Sequence, residues 1–224
     1  MTRTSGGRLV AAIVAGLAVL PLSGCLYAQI PEHPPITDVE PTPSEEPTDS
    51  PIDQPTGDLP TTMGFADGTA LPPSTRVEWG DGFFVDDGWT STRADDGNGG
   101  WAYGTVDGTC TAQFWQGDVT GLSLTPGDDS AGSDALLAYV IGDAETADIT
   151  PAATTVLLGY GSGSDLSVEA RQVVGASGER SWSITARAFT ATGHGVYVIT
   201  DCTGGDIDAT FAEVVAKNPL VITG

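Results

Sequence analysis

Three thiols, several paired carboxylates and a group of tryptophans are the side chains of this chain that could do chemistry or hold a ligand. Cys25 ends an apolar run, directly after Leu22-Ser23-Gly24, whereas Cys110 and Cys202 lie far downstream in stretches where apolar and polar residues alternate. Carboxylates pair at Asp86-Asp87, Asp95-Asp96 and Asp128-Asp129. Two acids facing one another could serve a hydrolase as acid and base, but a setting among glycines points to solvated loop tips. Nucleophilic catalysis finds little support. His194 sits alone in a Gly193-His194-Gly195 turn, Lys217 is the single lysine, and neither a Gly-x-Ser-x-Gly elbow nor a Ser-x-x-Lys pair is present.

The loop Asp95-Asp96-Gly97-Asn98-Gly99-Gly100 offers hard oxygens of the kind calcium collects in sets of about six to eight. Trp101 stands where an EF-hand beginning at Asp96 needs a glycine, and Asp107 where it needs a glutamate. A hairpin turn is expected there, with no metal and no cofactor. Trp79, Phe83, Phe84, Trp89, Trp101 and Trp115 gather among Gly and Asp in the first half of the chain. Tryptophans beside carboxylates can stack on a sugar, and Trp115 and Trp89 are the candidate ligand contacts. Trp115 falls on the opposite strand face from Cys110 and Phe114, which favours an exposed ring. Core packing competes for all six, since large aromatics usually fill or edge a core.

Arg3 and Arg8 are the only charges before Cys25, and Leu9 to Leu20 is apolar throughout apart from one glycine. That run is short for a membrane span of about 20 residues and suits the hydrophobic region of a signal peptide. Together with Leu22-Ser23-Gly24-Cys25 it resembles the lipobox of bacterial lipoprotein precursors. The resemblance implies that Leu22, Ser23 and Gly24 are read by the signal peptidase, that residues 1–24 are removed, and that Cys25 is diacylated. It therefore implies a protein anchored to the cell membrane on its extracytoplasmic face, since two acyl chains hold where one is marginal. In that oxidising compartment Cys110 and Cys202 are left as an even pair. A bridge between them closes a loop of about 90 residues and is worth about 4 to 5 kcal/mol in the chain-entropy model.

Composition changes after Cys25. Tyr27 to Pro60 holds nine of the fifteen prolines and no Lys or Arg, so it cannot bury enough apolar surface to offset its ordering entropy. Residues 25–60 are expected to form a lipidated, disordered stalk, and residues 61–224 a single domain. In that domain, strands are expected at Trp101 to Thr105, around Cys110 to Phe114, at Val119 to Leu124, and at Thr154 to Tyr160, Leu166 to Val174, Ser181 to Thr190 and Gly195 to Cys202. Trp182, Ile184, Ala186 and Ala188 share one face, matched by Val196, Val198, Thr200 and Cys202, with Arg187 opposite. Ser133 is placed to cap a helix whose Leu136, Leu137, Val140 and Ile141 face inward. Asp206 is placed to cap another, striped by Ile207, Phe211, Val214 and Val215, stopped by Asn218-Pro219 and followed by a strand at Leu220 to Thr223. The fold class is α+β, an antiparallel sheet with two short helices packed on it, one near the carboxy terminus. The closing meander, the helix over Phe211 to Ala216 and Leu220-Val221-Ile222 resemble the Mog1/PsbP-like fold of some actinobacterial lipoproteins of the LpqN type.

Thirty acidic residues against eight basic ones give a net charge of −22, and about −24 once Arg3 and Arg8 are removed. Nucleic acid and anionic lipid surfaces repel such a chain. The expected function is a non-catalytic binding or scaffolding module of the cell envelope, with an envelope protein or glycan as partner. The alternative is an envelope hydrolase or glycan-binding domain using acidic loops and exposed tryptophan. A cleft holding two carboxylates would favour the hydrolase, and outward aspartates over a closed core the module. The anchor has a direct check: Cys25→Ser should abolish incorporation of labelled fatty acid into the precursor, and undiminished labelling would refute the lipobox reading.

Overall fold

The computed structural model describes residues 59–142, 144–162 and 165–224. Residues 1–58, and with them Leu22, Ser23, Gly24, Cys25 and most of the expected stalk, lie outside the described residues. The elements run β1 (Thr62–Met63), α1 (Phe65–Gly68), β2 (Arg76–Trp79), a 3-10 turn (Gly82–Val85), β3 (Trp89–Arg93), β4 (Gly100–Thr105), β5 (Cys110–Asp118), α2 (Asp129–Ile141), α3 (Thr146–Ala152), β6 (Thr154–Gly159), β7 (Ser167–Ser177), β8 (Arg180–Phe189), β9 (His194–Thr203), α4 (Ile207–Lys217) and β10 (Leu220–Thr223). Leu59 packs on the core and the Tyr160 hydroxyl donates to the Pro60 carbonyl, so the packed chain starts before residue 61.

The fold is α+β. Eight strands form one sheet in the order β1-β7-β8-β9-β5-β4-β3, with β6 also on β7, while β10 and β2 make a separate two-stranded ribbon. Every pairing of these strands is antiparallel except β1 on β7. The strands expected from Thr154 onward form within a few residues of their predicted bounds. Val119 to Leu124 does not form a strand. There the Asp118 carboxylate accepts the Thr120 N–H, and Leu122 N–H bonds back to the Val119 carbonyl, which closes a turn before pairing can continue.

Both helices with capping signals form, but on opposite faces of the sheet. On α4 the Asp206 carboxylate accepts the N–H groups of Asp208 and Ala209, and Val214 is wholly buried. The start of α2 is capped by Asp128, which accepts the Ala131 N–H at 2.9 Å, and not by Ser133. Ser133 lies inside the helix, where its hydroxyl donates to the Asp129 carbonyl and accepts from the Ala188 N–H. An aspartate five residues earlier than Ser133 thus caps the helix, and the buried face rotates onto Ser133, Asp134, Leu136, Leu137 and Ala138. Val140 is half-buried and Ile141 is exposed. Gly142 ends the helix at φ 92°, a left-handed conformation that glycine adopts without steric cost.

Covering both faces changes which strand residues belong together. Ile184 is opposite Ile199 and Ala186 opposite Tyr197, and this row packs with Leu136 and Leu137 of α2. Val196, Val198 and Thr200 are opposite Arg187, Thr185 and Ser183 instead, on the face that carries α4 and the β2–β10 ribbon. The expected match between the Trp182 and Val196 rows is therefore wrong. A sheet sandwiched between layers has two inward faces, and alternation does not say which row faces which layer. Cys110 and Cys202 lie directly opposite one another on β5 and β9, joined by a disulfide.

Asp129 is not a solvated loop tip. It and Arg187 are buried and paired at 2.8 Å, with no side-chain exposure on either. The other Asp129 oxygen accepts the Thr190 N–H at 2.8 Å and the Thr190 hydroxyl at 2.6 Å. The guanidinium also donates to the carbonyls of Glu169 and Gly64, at 3.1 and 3.2 Å, and lies between the rings of Phe65 and Phe189. A second pair, Asp134 with Arg171 at 2.7 Å, ties the same helix to β7. Removing one member of a buried pair strands the other charge at a cost of about 3 to 5 kcal/mol. Asp129→Ala should therefore lower the unfolding free energy by about that much in urea denaturation. Asp129→Leu with Arg187→Met should recover only part of it, because the Glu169 carbonyl and the Thr190 N–H still lose their partners, and equal losses in both variants would show that the stranded charge does not carry the effect.

Candidate functional site

Five elements meet at an open cleft of about 410 Å³ on the sheet face that carries α4, lined by Trp79, Asp81, Phe84, Ser91, Arg93, Ala94, Asp95, Trp101, Tyr103 and Gln116. Strand alternation supplies part of it. Trp101 and Tyr103 lie two apart on β4, opposite Phe114 and Ala112 of β5, and the Trp101 ring stacks on Phe114 with centroids 5.5 Å apart. The β2 ribbon brings Trp79, whose indole N–H donates to the carbonyls of Trp115 and Tyr197, both at 3.2 Å. Its backbone N–H donates to the Gln116 carboxamide at 2.6 Å, which holds Gln116 at the cleft. The 3-10 turn carries Phe84, whose side chain stands at the rim with 78% of its surface exposed.

Polar groups around these rings are of both signs. Asp81 accepts the Tyr103 hydroxyl at 2.8 Å. Burial, with the Asp81 carboxylate as a further cause, pushes the Tyr103 phenol up from 10.0 to about 12. Asp95 accepts the Gly97 N–H at 2.9 Å, and Asp96 accepts the N–H groups of Asn98 and Gly100, so the glycine-rich loop is the hairpin turn between β3 and β4. Those backbone donors hold the Asp96 carboxyl below its ordinary value. Among the described residues Arg171, Arg180, Arg187 and Lys217 are in ion pairs, whereas Arg93 in the cleft and Arg76 are not. Arg93 is exposed, and its charge also helps hold the Asp96 carboxyl low.

The two tryptophans singled out from sequence fare differently. Trp89 is buried, stacked on Phe83 at 4.0 Å between centroids, with its N–H on Glu213, and it presents no ring to a ligand. It opens a strand whose inward side meets Phe83, so core packing claims it. Trp115 does lie on the opposite face from Phe114, but it is half-buried, stacked on Tyr197 at 5.2 Å, and its N–H donates to the Asn98 carbonyl. It edges a separate groove with Leu122 and Tyr139 and stays outside the cleft. Asp86 is bound to Lys217, and Asp128 caps α2, so of the expected acid pairs Asp95 alone lines the cleft. His194 begins β9, opposite Asp118, away from these groups. Sequence reasoning passed over Asp81, Arg93, Tyr103 and Gln116 as site residues; only Tyr103, alternating with Trp101, left a readable signal.

No protein-family model matches the chain, and no curated protein does. Among solved structures it is similar to a crystal structure from Bacteroides thetaiotaomicron VPI-5482, at 13% identity, over 60% of this chain and 42% of that one, with a TM-score of 0.34. The chain thus spans less than half the length of that neighbour.

The raised Tyr103 phenol has a sign that can be measured. A phenol that ionises at about 12 when folded and at 10.0 when unfolded favours folding below pH 10, and that advantage is lost as pH rises through 12. Wild type should exceed Tyr103→Phe in stability at pH 8, and the difference should shrink by about 1 to 2 kcal/mol by pH 11.5. A pH-independent difference in denaturant midpoint would show that the phenol titrates normally.

Proposed function

We propose that this protein is a non-catalytic binding module, anchored through diacylated Cys25 to the outer face of a cell membrane, and that the cleft takes a saccharide of the envelope. The cleft itself carries this reading. Sugars present flat C–H faces edged by hydroxyls, and aromatic surface flanked by Asp, Arg, Ser and amide groups answers both requirements. Its volume lies within the range of small-ligand sites, and a few convergent polar groups over an aromatic base fit such a site. An exposed phenylalanine at the rim, Phe84, adds apolar surface where a second sugar ring would extend.

Charge and anchor are consistent with one another. The acidic surface is repelled by anionic head groups, and an extended stalk of Pro-rich composition holds a domain away from the bilayer. One observation favours a second reading, an envelope hydrolase: Asp81 and Asp95 line the same cleft. Both carboxylates are engaged, by the Tyr103 hydroxyl and by the loop backbone, which suits fixed acceptors better than a free acid pair.

Titration of the protein with the trimer of β-1,4-linked N-acetylglucosamine and with arabinose and mannose oligomers, followed by tryptophan fluorescence, separates these readings. Saturable binding of one of them is expected. Phe84→Ala and Arg93→Ala, both at exposed positions, should each weaken it about fivefold or more without moving Tm. Absence of saturable binding to the whole panel would refute the saccharide reading, and release of new reducing ends that Asp81→Asn abolishes would establish the hydrolase instead.

A further inference from the structure

A second cavity lies under the amino-terminal half of α4, apart from the aromatic cleft. Its volume is about 340 Å³, and Val174 and Ala176 of β7 and Ile207 and Phe211 of α4 give it apolar walls. Its polar groups are Gln172, Ser181 and Ser183, with Asp208 as the single charged residue in the lining. Ser183 is 2% exposed, and its hydroxyl has no hydrogen-bond partner. Thr200, directly opposite on β9, is equally unpartnered, so the two hydroxyls do not satisfy each other. The Gln172 amide nitrogen is committed to the Thr185 hydroxyl at 2.9 Å.

Leaving a buried hydroxyl unpaired costs about 1 to 3 kcal/mol, and native structures seldom accept that cost where an apolar residue would serve. Alanine at position 183 would fit a purely apolar pocket. A hydroxyl at the base of an otherwise greasy cavity is the arrangement that orients a ligand with one polar end. Charge narrows the class further. No cation lines the cavity, Asp208 lies in its wall, and the nearby Arg180 is bound to Asp201. A carboxylate or phosphate would meet repulsion without a partner.

We propose that this cavity binds a small uncharged amphiphile, such as a single short alkyl or acyl chain ending in a hydroxyl, ester or amide, with its polar end on Ser183 and its chain against Val174, Ile207 and Phe211. The site does not depend on the saccharide cleft, which is built from other residues. Val174, 67% exposed at the rim, supplies apolar surface where such a chain would enter.

The test uses 1-octanol as the neutral probe and octanoate as its anionic counterpart, with methyl and phenyl NMR shifts of the protein as readout. 1-Octanol should give saturable shifts confined to Val174, Ile207 and Phe211, and octanoate should bind at least tenfold more weakly. Ser183→Ala should weaken 1-octanol about five- to tenfold. Val174→Asp, at an exposed position where folding is not at risk, should abolish binding by placing a second carboxylate at the wall. Shifts that rise linearly with 1-octanol, or an affinity that neither substitution changes, would overturn the proposal. So would octanoate binding as tightly as 1-octanol.

Discussion

The buried pair of Arg187 and Asp129 is the interaction on which the arrangement of the other elements depends. Strands β7 and β8 run paired up to Arg171 and Ala186 and then part. Beyond that point β1 takes up the ladder on β7 in parallel, at Ser167 and Val168. A junction of this kind leaves backbone carbonyls without ladder partners inside the molecule, and unpaired buried carbonyls are costly. The Arg187 guanidinium donates to the Glu169 carbonyl and to the Gly64 carbonyl, which also accepts the Gly68 N–H, while its charge is held by Asp129 at the start of α2. One side chain thereby joins β1, β7, β8 and α2. Helix α1 passes so close that a Cβ on Gly68 would come within 2.2 Å of both charged groups, so glycine is required there.

Burial opposes this charge, and it pushes the Arg187 guanidinium down to about 10. Asp129, with Glu169 and Asp67 at longer range, acts in the other direction. A buried ion pair adds little to stability over a well-packed apolar substitute, so its effect here lies in geometry. Asp129 and Asp134 sit five residues apart on α2 and reach Arg187 and Arg171 on adjacent strands. Two charged contacts at different heights set both the position and the rotation of the helix. That rotation is why Leu136 and Leu137 face the sheet while Ile141 does not.

At the opposite end of β8 and β9, the Cys110–Cys202 bridge holds β5 against β9 beneath α4, with the Thr210 hydroxyl 3.3 Å from the Cys110 sulfur. This pairing was legible because cysteine counting needs no knowledge of the fold. The four carboxy-terminal strands of the meander were legible for a related reason: each alternates over several residues and ends in a glycine-bearing turn. Asp206 and Asn218-Pro219 framed α4 in the same local way. What escaped is what local patterns do not contain. Val119 to Leu124 has strand-like residues but follows an aspartate that closes a turn. The short β1 and β2 draw their stability from distant partners, Ser167 and Val168 for one and Leu220 to Thr223 for the other. Helix α3 is short and holds Pro151, so no helical period marks it in the sequence.

The cleft shows the same division at finer scale. Trp101 and Tyr103 could be paired from alternation alone, but Asp81 joins them through a turn, Trp79 through a ribbon whose second strand is the last in the chain, and Gln116 through a bond to a backbone 37 residues away. Exposure of an aromatic ring was the signal sought, and it led to Trp115 and Trp89, whose rings the structure occupies. The more telling signal lay in charge. Only six cations follow residue 25, and in so acidic a chain each one has an abundance of carboxylates to choose from. Arg171 and Arg187 stand within strands, where a cation needs a buried partner, and Arg93 ends an edge strand beside a run of aspartates. Among the described residues Arg93 reaches no carboxylate at ion-pair distance, although its charge helps hold the Asp96 carboxyl low, and the backbone N–H groups of Gly97, Asn98 and Gly100 fix one oxygen each of Asp95 and Asp96 in the hairpin. The glycines that make the turn tight therefore place Arg93 and the carboxylates of Asp95 and Asp96 together at the edge of an aromatic cleft.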